Sequence, residues 1–126
     1  DSKKIINMQR KKTGKLFEFC CLAPAIIAKK SIKTQKEMSM VGAELGLLFQ
    51  IADDLLDIKG NKKNTGKPVK KDKKKGKSTL IKLFGYEKTL EFALDRKKTI
   101  INKLKKYGKK SNKLIEVSDF ILNRSF

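Results

Sequence analysis

The stretch FQIADDLLDIKG, Phe49 to Gly60, sets Asp53, Asp54 and Asp57 inside an otherwise apolar run. The chain has 13 Asp+Glu against 32 Lys+Arg, so a knot of carboxylates here is not a by-product of composition. On a helix turning 100° per residue, setting Gln50 at 0° places Asp57 at about −20°, Asp53 at about −60° and Asp54 at about +40°. Gly46 and Ala43, one and two turns earlier, fall on the same stripe at about −40° and +20°. The remaining face carries Leu47, Leu48, Phe49, Ile51, Leu55, Leu56 and Ile58. The stripe is small along its length and acidic at one end. This spacing predicts a helix whose small residues leave a cavity open, with the three aspartates at its mouth.

A merely solvated acidic face in so Lys-rich a chain would mix in Lys or Glu, yet none occurs between Glu44 and Lys59. Clustered carboxylates repel one another unless cations neutralise them. The chain has no His, and oxygen donors alone suit Mg²⁺, which keeps several waters and shares its shell with phosphate. Asp53, Asp54 and Asp57 are therefore the candidate metal ligands. A phosphorylated substrate bridged to such a metal needs cations on its other side. Lys12, with Thr13 as a neighbouring hydroxyl, stands in KKTG; Lys67 stands in TGKP, and Lys70, Lys71 and Lys77 surround Asp72. GKPVKKDKKKGKS has the wrong spacing for a P-loop and follows no strand.

These groups need elements to hold them. DSKKIINMQRKKTG starts as though in mid-helix, and LFEFCCLAPAIIA (Leu16 to Ala28) has the bulk of a mostly buried helix in which Pro24 marks a kink or a break. Ser31 to Ile58 reads as a second helix, with Thr34 and Glu37 spaced as a capping box. Lys59 to Lys77, with ten Lys, three Gly and one Pro, reads as a loop from which no core forms. A short helix from Ser78, a break at Gly85, a long amphipathic helix to about Gly108 and a last helix over Leu114 to Leu122 complete the chain. Nothing alternates with period two, so the fold class is all-α.

The totals bound the rest. At 126 residues the chain is one small domain or a piece of a larger one, and its net charge of +19 calls for an anionic partner. Cys20 and Cys21 are adjacent and cannot bridge each other, so they are read as packing residues in a reducing, cytosolic setting. The longest uncharged apolar stretch, Phe19 to Ala28, is far below the ~20 residues that span a bilayer. Specific nucleic-acid binding is not expected: aromatic content is 7%, with no Trp and no aromatic within the Lys tract.

KTGKLFEF, GLLFQIADDLLD and TGKPVKKDKKKGKSTL occur in the order and spacing of the trans-isoprenyl diphosphate synthases, and SDFILNRSF is similar to the closing helix of their bacterial short-chain members. The resemblance covers essentially the whole chain. It implies the isoprenoid synthase helical bundle and a prenyltransferase that condenses isopentenyl diphosphate with an allylic diphosphate, giving a short-chain product such as farnesyl or geranylgeranyl diphosphate. By resemblance, Asp53, Asp54 and Asp57 form the second of two aspartate-rich motifs that share Mg²⁺. Lys12, Lys67 and Lys77 contact diphosphate, and Thr13 and Gln50 lie near the developing carbocation. The first aspartate-rich motif is absent, so residues 1–126 are read as the C-terminal part of a polyprenyl synthetase domain, with a Lys-rich active-site loop at 59–77. The expected partners are then the missing N-terminal half and a second copy in a homodimer, in the cytoplasm, with a plastid or other organelle left open. Two other classes stay open: a basic helical nucleic-acid binder, and a non-catalytic subunit of a prenyl synthase.

Overall fold

The structure, a computed structural model, describes residues 1–64 and 79–124. Asp1 caps helix α1 (Ser2–Gln9) by accepting a hydrogen bond from the Lys3 N–H at 3.0 Å. A π-helical turn, Arg10–Gly14, carries α1 without a break into α2 (Lys15–Ile27). Pro24 sits inside α2 without ending it, although it has no N–H to give the Cys20 carbonyl and its ring crowds that carbonyl. The stop comes at Lys29, whose φ of 49° is left-handed. There the Lys29 and Lys30 N–H groups turn back to the carbonyls of Ile26 and Ala25 at 2.9 and 3.0 Å, the 5→2 and 6→1 bonds of a Schellman ending.

Helix α3 (Ile32–Asn64) is the axis of the fold. Its cap is Ser31 rather than the expected Thr34. The Ser31 Oγ accepts from the Thr34 N–H at 3.2 Å, and Glu37 turns away from the helix end altogether. α3 also continues past Ile58 to Asn64, so the first residues of the expected loop at 59–77 are helical; 65–77 lie outside the described residues. Thr79 caps α4 (Leu80–Phe84), Gly85 at φ 81° breaks the chain as anticipated, and α5 (Tyr86–Leu104) follows. A 3₁₀ segment, Lys105–Ser111, reverses at Gly108 with φ 56° and leads into α6 (Asn112–Asn123). The described residues contain helices and no strand, in keeping with the all-α expectation.

α2 packs along one side of α3, while α5 and α6 cover another. The core runs down α3 through Val41, Leu45, Leu48, Ile51, Ala52 and Leu55, joined by Ala93, Ile100 and Leu104 of α5 and by Ile121 and Leu122 of α6. Leu47, Leu48 and Leu55 are fully covered within this chain. α2 differs from its expectation as a mostly buried helix, since Phe19 is 65% and Ile27 80% exposed. One face of α2 meets α3, and no other described element covers the opposite face. Cys20 is exposed and Cys21 half-buried, both free, and burial pushes the Cys21 thiol up, with Cys20 adding to it. Cys21, held protonated and packed against the core, is a packing residue as expected, whereas Cys20 is exposed and does not pack.

A latch far along the sequence ties the start of α3 to the 3₁₀ segment. Glu37 accepts from the Tyr107 hydroxyl at 2.6 Å and pairs with the Lys106 ammonium. The Lys106 bond, then the Tyr107 bond, hold the Glu37 carboxyl below the usual carboxylate range. A folded pKa below the unfolded one makes the latch stabilising above the unfolded value, and its contribution is lost as pH falls through the folded value. Wild-type stability should therefore drop more steeply than that of Glu37→Gln as pH falls below about 4.3. Thermal melts of both proteins between pH 7 and 3 check this; parallel curves would remove Glu37 from the account.

Candidate functional site

The acidic stripe lies in the last third of α3, where the apolar flank of the helix is buried against α5 and α6 and the opposite side faces outward. Asp53 and Asp54 are half-buried and Asp57 is exposed; Gln50, one turn before, is half-buried. Helical periodicity thus keeps the three carboxylates on one side, as the spacing predicts. They do not converge on a single point: among the described residues no group of three acidic, Cys or His side chains is placed to enclose a metal ion. The donor chemistry nevertheless fits Mg²⁺, which is commonly held by one or two carboxylates while phosphate and water complete its shell.

The small residues act otherwise than expected. A Cβ on Gly46 would stand 2.6 Å from the Gly14 Cα, and one on Gly42 would stand 2.5 Å from the Phe17 carbonyl oxygen. The glycine positions are filled by the backbone of the π turn and α2, not left as a cavity. Ala43 does line a cleft of about 530 Å³ with Arg10, Lys15 and Glu44, but none of the three aspartates reaches it. What Gly46 supplies is close approach. Gly14 rests on α3 one turn before Gln50, so the turn carrying Lys12 and Thr13 is seated beside the stripe.

Lys12 is exposed and Thr13 half-buried on that turn. Single π turns within α-helices widen the helix locally and recur at functional sites. Glu18 anchors the segment to α3, accepting from Lys15 Nζ at 2.8 Å and from Ser39 Oγ at 2.7 Å, and those two bonds hold its carboxyl below the usual range. Along the same cleft, Glu44 accepts from Arg10 at 2.8 Å and lies 3.7 Å from Arg96. Lys67 and Lys77, the expected loop cations, and Asp72 lie outside the described residues.

Sequence reasoning missed Arg124. At the end of α6 its Nη2 donates to Asp53 Oδ1 at 2.6 Å, and its guanidinium lies 4.1 Å from the centroid of the Phe49 ring. No sequence signal joins positions 71 residues apart; only the docking of α6 on α3 brings them together.

The fold and site define an all-helical protein with an acid-ended axial helix and a lysine-bearing turn seated against it, and comparison with known proteins gives its family. The polyprenyl synthetase family description matches residues 1–119. A geranylfarnesyl diphosphate synthase of Aeropyrum pernix is 41% identical over 83 residues, 66% of this chain and 26% of that protein. A short chain isoprenyl diphosphate synthase of Methanocaldococcus jannaschii is 36% identical over 116 residues, 92% of this chain and 34% of the relative. A geranylgeranyl diphosphate synthase of Saccharolobus solfataricus is 35% identical over 121 residues, 95% of this chain and 35% of the relative. The chain belongs to the polyprenyl synthetase family. It spans about a third of the length of the curated relatives it matches.

Proposed function

We propose that this chain is the C-terminal part of a trans-prenyltransferase that joins isopentenyl diphosphate to an allylic diphosphate and releases inorganic diphosphate, forming a short-chain product of the farnesyl or geranylgeranyl type. The observation that carries this reading is the seating of the KTG turn against Gly46, beside the DDLLD end of α3, in a chain whose family match runs over residues 1–119. Bound Mg²⁺ supplies neutralisation of the charge that builds on the departing diphosphate. Asp53, Asp54 and Asp57 would share in holding it from the protein side, one or two of them to an ion, with phosphate and water completing its shell. Lys12, joined by Lys67 and Lys77, adds fixed positive charge to the diphosphate oxygens as the C–O bond breaks. Thr13 and Gln50 offer oxygen dipoles towards the carbon that becomes positive, and the isopentenyl double bond attacks that carbon before a proton is lost.

The N-terminal half, with the first aspartate-rich motif and the isopentenyl diphosphate site, covers the exposed side of α2. Leu16, Phe19 and Ile27 there need an apolar partner, and a large exposed apolar patch marks a protein contact. A cytoplasmic homodimer is the assembly we propose; among the described residues no helix is long and apolar enough to cross a membrane.

The test is binding of a non-hydrolysable allylic diphosphate analogue to the full-length protein, with and without Mg²⁺. Binding that requires Mg²⁺ and is lost in Asp54→Asn is the expected result. Metal-independent affinity for single-stranded DNA that falls steeply as salt rises, with no diphosphate binding, would replace this reading with a nucleic-acid binder.

A further inference from the structure

We propose that Arg124 is the resident counter-cation of Asp53, balancing this carboxylate while no divalent ion is bound and competing with Mg²⁺ for it. The proposal rests on the reading of Asp53 as a metal ligand.

Arg124 is held by more than the ion pair. Its Nη2 is 2.6 Å from Asp53 Oδ1 and 3.5 Å from the Phe49 carbonyl oxygen, and its Nε donates to the Ile121 carbonyl at 3.3 Å. The guanidinium lies over the Phe49 ring, which is braced in turn by Phe17 of α2 at a centroid distance of 5.4 Å. Three of these partners do not involve the carboxylate. They pre-place the cation, so Asp53 meets a positive charge whose ordering cost is already met by aromatic stacking and backbone carbonyls.

The consequence follows from charge and geometry. Side-chain exposures of 27% for Arg124 and 43% for Asp53 leave the pair in contact with water, so it is weak enough to yield to a divalent ion. One oxygen of Asp53 is engaged, and a metal ion using that oxygen has to part it from the guanidinium. Because the Phe49 ring and the two carbonyls retain Arg124 nearby, its charge continues to oppose the incoming cation. Arg124 thus offsets the repulsion among Asp53, Asp54 and Asp57 in the metal-free protein and lowers the affinity for free Mg²⁺.

The test is Mg²⁺ binding without substrate, measured by titration calorimetry on the full-length protein and on its Arg124→Gln, Arg124→Lys, Asp53→Asn and Asp53→Asn/Arg124→Gln variants, with circular dichroism to verify folding. Arg124→Gln is expected to bind Mg²⁺ about two- to five-fold more tightly, the range a partly exposed ion pair allows. Arg124→Lys, which keeps the charge, returns towards wild type. In the Asp53→Asn background Arg124→Gln has a clearly smaller effect, because the direct contact is already gone and only the longer-range charge of Arg124 is left to remove. If Asp53→Asn binds Mg²⁺ as wild type does, the metal reading of Asp53 fails and the inference falls with it. If Mg²⁺ binding depends on Asp53 but Arg124→Gln binds equally or less tightly, the metal reading stands and the counter-cation role of Arg124 is wrong.

Discussion

Asp53→Ala in the full-length protein is expected to lower kcat by about 10²–10³, the usual loss when one preorganised electrostatic group is removed from a transition state. Under the proposed function Asp53 helps to neutralise a diphosphate that gains charge as its C–O bond breaks, an interaction strongest in the transition state, so the loss falls on kcat more than on substrate binding. Folding should hardly change. The substitution removes the Arg124 ion pair, whose partners are 27% and 43% exposed, and such pairs contribute about 0.2–1 kcal/mol. It also relieves repulsion from Asp54 and Asp57. The two effects oppose each other, so the melting temperature stays close to wild type. Steady-state condensation of isopentenyl diphosphate with an allylic diphosphate over a Mg²⁺ titration, beside a melt, decides the matter. Near-normal kcat with an early melt would make the stripe structural.

Gly46→Ala should be costly for both stability and turnover, by a steric route. The added methyl meets the Gly14 Cα at 2.6 Å and the Gly14 nitrogen at 3.2 Å, and both are backbone atoms that cannot rotate aside. The π turn must lift from α3. Forcing extra volume into a well-packed contact costs about 1–3 kcal/mol. Lys12 and Thr13 ride on the turn that lifts, and a misplacement of about 1 Å in a positioning element can cost 10²-fold in rate. Gly42→Ala tests the same surface one turn back, since its methyl meets the Phe17 carbonyl oxygen at 2.5 Å and the Glu18 Cα at 2.6 Å. It should destabilise comparably. A Gly46→Ala protein that melts as wild type does, with unchanged kcat/KM, would show that the π turn is not held where it is by this contact.

Much of the architecture is legible from local chemistry. Gly85 and Gly108 end helices because each takes a positive φ that a side chain would strain, and both breaks stand in the sequence. The one-sided placement of Gln50, Asp53, Asp54 and Asp57 follows from the 3.6-residue period, which no tertiary contact alters. The all-helical class and the family follow from the same short runs, with KTG and DDLLD at matching spacing.

What depends on packing is less legible in the sequence. Ser31 and Thr34 are both good caps by type, and Ser31 takes the role because the Schellman ending of α2 delivers the chain there; Glu37 is drawn instead to Lys106 and Tyr107, some seventy residues away. Gly46 reads as space in one dimension, yet in three dimensions that space is Gly14. Leu16 and Phe19 look like core residues because hydrophobicity is a property of the residue, whereas burial depends on what lies opposite. The chain alone determines the acidic stripe and the helix that carries it. Only the tertiary structure decides that Arg124 closes on Asp53, because a guanidinium and a carboxylate attract wherever they meet, and the docking of α6 on α3 is what makes them meet.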